Sequence, residues 1–268
     1  MKLYLQLFYR VVASEIQKLR STFVFWLTII YPLGTVFLVS LIWFGNRNAK
    51  VVSTDQFISN LGNSSSFFLT FFIVLLISLA CNIEFKSAML KHLLTLPVPR
   101  PIIYLGKFAG IMLFIGLAMV LTLAFAYLSL LICGLINPKL GMGTNFNHAA
   151  LVLNLLRSYI AAAAIYSIQY WLSMKLKNLT LPVAIGSTLI VMPIASLIIL
   201  GITGLISRNA DFLRVITYNP YSYPYSPGFN FVKSTEIVIF TSNTIVFILL
   251  SIVSLAFGTW EFSRRNIS

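Results

Sequence analysis

Long apolar runs separated by short polar stretches dominate the chain. Runs at about 22–44, 66–83, 108–136, 149–174, 181–206 and 237–260 each approach or exceed the ~20 residues a helix needs to cross a hydrocarbon core. They predict an all-α membrane protein with six transmembrane helices, together forming one domain over 22–265. Pro32 and Gly34 in the first run predict a kink and not a break. Pro193 lies inside the fifth.

The polar stretches carry patterns of their own. In residues 1–21, Tyr4, Leu7, Phe8, Val11, Val12, Ile16 and Leu19 recur three or four apart, with Gln6, Arg10, Gln17 and Lys18 between them. This predicts an amphipathic helix lying in the membrane interface. The other reading is a solvated helix running straight into the first span. Asn46–Ser65 is rich in Asn and Ser and is expected to be a loop.

Residues 84–107 form a charged island between the second and third spans, holding Glu84, Lys86, Lys91, His92, Arg100 and Lys107. Phe85, Met89, Leu90, Leu93 and Leu94 fall at helical spacing, with Lys86, Ser87, Lys91 and Thr95 between them, so a short amphipathic helix is expected. Pro97-Val98-Pro99 should end it. Such a helix in an apolar protein needs a membrane surface or a protein partner. Glu84 can pair with Lys107 or Arg100, or sit as a solvated charge among headgroups. The segment 207–236 is the longest without a span. It interleaves Tyr218, Tyr221, Tyr223, Tyr225, Phe229 and Phe231 with Pro220, Pro224 and Pro227.

Composition settles the class. Hydrophobic residues make up 59% of the 268 and charged residues 9%, against roughly 25% charged in soluble domains. The net charge of +13 could suggest nucleic acid, but the bases sit at the ends of apolar runs and read as topology signals. Segments on the side of both termini, the island and the Lys175–Asn178 turn hold twelve Lys and Arg; the opposite segments hold six. The positive-inside rule then predicts cytoplasmic termini and an outward-facing 207–236 segment, whose tyrosines suit the outer interface near an exit or as simple anchors. Arg10, Glu15 and Lys18 interrupt any hydrophobic leader, so no cleavable signal peptide is expected.

Much chemistry has no residues to perform it. A phosphate-binding Walker loop needs a glycine run ending in Gly-Lys-Ser/Thr, and the Gly106-Lys107 pair is followed by Phe108. His92 and His148 are expected on opposite sides of the membrane and cannot share a metal. None of Glu15, Asp55, Glu84, Asp211, Glu236 and Glu261 lies deep in a span, which disfavours an ion-coupled carrier and an intramembrane hydrolase. Cys81 and Cys133 read as small buried hydrophobes. The chain is therefore expected to have no catalytic site and to bind no cofactor or metal.

Arg157 is the exception inside a run. It shares a helix face with Asn154, Ser158 and Ala161, with Gln169 near that face further along. Two readings stay open: a polar lining of a pathway or subunit seam, or a later-starting span from which Arg157 snorkels to the outer headgroups. Gly106-x-x-x-Gly110 and Ala161–Ala164 would permit close helix approach.

The whole layout resembles the permease subunits of ABC-2 type ATP-binding-cassette exporters, and within them the lantibiotic and bacteriocin-immunity permeases. Glu84, Lys91-His92-Leu93-Leu94, Leu96-Pro97-Val98-Pro99-Arg100 and Tyr104-Leu105-Gly106-Lys107 carry the resemblance. It implies that the island is a coupling helix docking on a separate cytoplasmic ATPase through Glu84, Phe85, Met89, Lys91, His92, Leu93, Leu94, Pro97 and Arg100. It also implies two ATPase copies holding ATP and magnesium, a second permease, identical or homologous, and a bacterial inner membrane. An amphipathic antimicrobial peptide is the expected cargo. Lipid, polysaccharide or drug export are alternatives, as are a membrane anchor or sensor and an ion-coupled carrier.

Overall fold

The computed structural model describes residues 2–45, 54–86, 98–136, 147–176, 178–202, 218–225 and 240–264. Every regular element among them is helical: α1 (Lys2–Arg20), α2 (Phe23–Gly45), α3 (Thr54–Lys86), α4 (Arg100–Ile136), α5 (His148–Ala161), α6 (Ala163–Leu176), α7 (Thr180–Ile202), a 3₁₀ turn (Tyr223–Tyr225) and α8 (Ser242–Arg264).

Among the described residues, five helical stretches are long and apolar enough to cross a membrane: Phe23–Ile42, Phe57–Phe85, Arg100–Ile136, His148–Leu176 and Ser242–Arg264. The fifth expected run gives α7, whose described apolar stretch, Thr180–Ser196, is shorter than a span. The runs alternate in direction. One end of the bundle collects the C-termini of α1, α3, α6 and α8 and the start of α4, as contacts between Tyr170 and Tyr104, Arg100 and Ser263, and Lys18 and Glu84 require.

Two helices begin earlier than the hydropathy predicts. The expected loop at Asn46–Ser65 is helical from Thr54. Its Asn and Ser residues lower the average hydropathy, but Phe57, Ile58 and Leu61 recur at helical spacing and are buried against Val36, Val39, Leu130 and Leu151. Likewise, α4 starts at Arg100 and not near Phe108. Pro101 falls in its first turn, where a missing N–H removes nothing, and the Pro99 carbonyl accepts from the Ile102 and Ile103 amides.

α3 is the central helix. Of its apolar window 67% is buried, against 22% for α8, and it packs on α2, α4, α5, α6, α7 and the 3₁₀ turn. α1 turns into α2 at Ser21-Thr22, whose hydroxyls donate to the last carbonyls of α1. Ala162 interrupts the fourth run, but its amide still reaches the Ser158 carbonyl and its carbonyl the Tyr166 amide, so α5 and α6 act as one span. Cys81 and Cys133 are buried thiols.

Candidate functional site

At this end of the bundle a charged cluster is built by three helices, α1, α3 and α4. α1 lies across α4 because two glycines let it. A Cβ on Gly106 would stand 2.6 Å from Val11 Cγ1, and one on Gly110 would stand 3.0 Å from Glu15 Cβ. That close approach carries Glu15 and Lys18 to the end of α3. There Lys18 Nζ lies 2.7 Å from Glu15 Oε1 and 2.6 Å from Glu84 Oε1, while Lys107 Nζ lies 2.6 Å from Glu84 Oε2. Glu84 thus bridges two lysines, one from α1 and one from α4.

The cluster is deeply placed: Glu84 is 1% exposed, Lys107 2% and Glu15 4%. Burying a carboxylate is costly unless it is paired, and here two acids balance two bases. Burial alone would push the Lys18 ammonium down, but the Glu84 and Glu15 carboxylates outweigh it and hold its pKa above the ordinary lysine value. Of the readings of Glu84, the structure selects the Lys107 pair and adds Lys18, which the sequence pattern assigned to the exposed face of α1. Arg100 goes elsewhere; its guanidinium donates to the Ser263 carbonyl at 3.0 Å. Beside it, Trp171 Nε1 donates to Glu261 Oε2 at 2.7 Å, and Lys175 sits over the Trp171 ring. Tyr104 packs between Tyr170 and Phe262, and its hydroxyl lies where a Cβ on Gly258 would be.

Phe85 is partly buried against the main core. Met89, Lys91, His92, Leu93, Leu94 and Pro97 lie outside the described residues. The expected helix at 84–96 is therefore described only at its root, where Glu84 and Phe85 belong to the end of α3.

A second polar set lies along α3, deeper in the bundle. Ser158 shares a 2.7 Å hydrogen bond with Ser66. Gln169 donates to Ser78 Oγ and the Pro182 carbonyl, both at 3.0 Å, and accepts from the Tyr221 hydroxyl at 3.0 Å. Asn154, Arg157, Ser158 and Gln169 are all at most 4% exposed. Arg157 sits well inside a helix that begins at His148 and is covered by protein, so the snorkelling arrangement is not what the structure adopts. Among the described residues, the side-chain amide of Asn154 has no hydrogen-bond partner.

The tyrosines of the 207–236 segment divide. Tyr218 is 64% exposed, but Tyr221 and Tyr223 are 1% and 3% exposed and face the bundle interior, contrary to the expectation of four interfacial rings. The reason is hydrogen bonding. Pro193 has no N–H, so the carbonyl four residues earlier, on Leu189, loses its helical partner. Asn219 Nδ2 donates to that carbonyl at 3.0 Å, and Tyr225 donates to the next one, on Ile190, at 2.7 Å. Tyr223 shares hydrogen bonds with Thr241 and Thr244 at the start of α8. Sequence reasoning missed this docking, although an intrahelical proline followed by a segment rich in Asn and Tyr was the available signal. It also missed Glu15 and Lys18, for which Gly106-x-x-x-Gly110 was the hint.

A family model described as ABC-2 family transporter protein matches residues 11–194. No curated protein matches the chain at a significant level.

Proposed function

The chain belongs to the ABC-2 transporter family, the membrane component of ABC exporters, and from that premise we propose that it is a permease subunit whose α3–α4 connection docks on a cytoplasmic ATPase. Members of this family work with a separate ATPase and are themselves generally non-catalytic. The observation that carries the proposal is the family match combined with the paired charges at the root of that connection. A short amphipathic segment laid in a partner's groove is a known mode of recognition, and Met89, Leu93 and Leu94 supply the apolar stripe.

The finer reading follows the sequence. The basic end faces the cytoplasm, six helices cross a bacterial inner membrane, and α1 rests in the inner interface. Two permeases, identical or homologous, sit above two ATPases that hold ATP and magnesium. The cargo is an amphipathic antimicrobial peptide of the lantibiotic class; lipid, polysaccharide or drug cargo fits the same architecture. Asn154, Arg157, Ser158 and Gln169 are proposed as polar groups beside the transport pathway.

The test is purification of the tagged chain from detergent with its ATPase, comparing wild type with Leu93→Asp/Leu94→Asp. We expect an ATP-binding subunit to accompany the wild type and to be lost from the double variant. Retention of that subunit by the double variant would sink the docking assignment.

A further inference from the structure

Resting on the coupling role proposed above, we propose that Glu84 fastens α1 to both roots of the α3–α4 connection, so that α1 moves with it and delivers the motion to a third transmembrane helix, α2. The geometry is specific. Glu84 lies two residues from the end of α3, and Lys107 lies about two turns into α4, so their 2.6 Å pair pinches the base of the connection. The other carboxylate oxygen of Glu84 is spent on Lys18, one residue before buried Leu19 and just ahead of the turn into α2. One carboxylate therefore touches all three elements.

Two further observations make the attachment a fastening and not a passing contact. The Gly106 surface of α4 seats Val11 where any Cβ would force it to shift, and at Gly110 a Cβ would stand only 3.0 Å from Glu15 Cβ, so that Glu15 would have to give way slightly. And Glu84 has both of its ammonium partners only when α1 is in place. Withdrawing α1 removes Glu15 and Lys18 together, a neutral pair, and leaves Glu84 with Lys107 alone. Meanwhile the edge of α1 turned away from α4, with Tyr4, Leu5 and Tyr9 more than half exposed, is carried along by whatever moves the roots.

The experiment uses the full chain with its ATPase in lipid nanodiscs, with Cys81 and Cys133 changed to Ala. Spin labels are placed in pairs at three exposed positions: Ser14→Cys on α1, Leu105→Cys on α4 and Tyr218→Cys in the docked turn. Distances are compared without nucleotide and after trapping with ATP and vanadate. We expect the 14–105 distance to stay fixed in the wild type while 14–218 and 105–218 shift together. In Lys18→Met, 14–105 should broaden and the 14–218 shift should vanish while 105–218 still moves; Lys18→Arg should restore the wild-type pattern. Should Lys18→Met fail to fold, Glu84→Gln is read in the same way. An unchanged pattern in the folded uncharged variant, or a 14–105 distance that changes in the wild type on trapping, overturns the fastening. If no ATPase accompanies the wild-type chain, the coupling reading fails instead. The 14–105 distribution in Lys18→Met and Lys18→Arg then still decides whether Lys18 holds α1.

Discussion

α3 meets its polar partners in two different currencies at its two depths. At its C-terminal end Glu84 is held by two ammonium groups. Further in, Ser66 and Ser78 are held by neutral hydroxyl and amide groups from α5 and α6. The same helix thus uses full charges where its end meets two other helices, α1 and α4, and uncharged hydrogen bonds along its length. The difference teaches what each region tolerates. Loss of one member of a buried charge set strands the others, whereas loss of one neutral partner leaves groups that can turn to nearby carbonyls.

The sharpest break in this comparison is Glu84→Ala, which leaves Lys18 and Lys107 facing each other across an empty site. Removing one partner of a buried pair typically destabilises by ~3–5 kcal/mol. Thermal unfolding in lipid nanodiscs should show it as the largest loss among these variants. Next comes Gly106→Leu, which forces Val11 off α4; overpacking of this kind costs about 1–3 kcal/mol. It should also raise the protease sensitivity of α1 while leaving the deeper seam intact. Gln169→Leu tests the neutral region. It removes a donor to Ser78 and an acceptor for Tyr221, and such bonds inside membranes average about 0.6 kcal/mol each. A loss as large as that of Glu84→Ala would erase the distinction between the two regions.

Two smaller effects sharpen it. The pKa of Lys18 is raised in the fold above the ordinary value of 10.5. Its contribution is therefore fully present below pH 10.5 and is lost as the pH rises through the folded value. Above pH 10.5 wild type should lose stability more than Lys18→Met does, as followed by intrinsic fluorescence. At the bottom of the scale, Tyr218→Ala changes a mostly exposed ring and should stay within about 0.5 kcal/mol.

Much of the helical layout could be read from hydropathy, because runs near span length have few alternatives. The boundaries could not. Thr54 to Ser65 looks polar on average, and its helicity shows only in the spacing of Phe57, Ile58 and Leu61. Arg100 to Lys107 looks like loop because it is charged, yet α4 simply continues past the apolar run to a length of 37 residues. At the charged end, the Glu84–Lys107 pair was within reach of sequence reasoning since both flank one short connection. Lys18 was not, because it is 66 residues away and its approach depends on two glycines in another helix. The tyrosines failed for a similar reason. Amphipathic rings suit an interface in general, but a proline-freed carbonyl on α7 provides Asn219 and Tyr225 with a particular partner inside.

That proline has a consequence for how the protein is made. A chain is synthesised from its N-terminus, so α7 is complete before Asn219 and Tyr225 exist. Until they arrive, the Leu189 carbonyl has lost its helical partner, and a buried backbone group left unsatisfied is costly. α7 is then a helix whose missing backbone donor is encoded downstream. Its firm docking against the bundle should wait for residues 219–225, and nascent chains ending before Asn219 should hold α7 more loosely than chains ending after Tyr225.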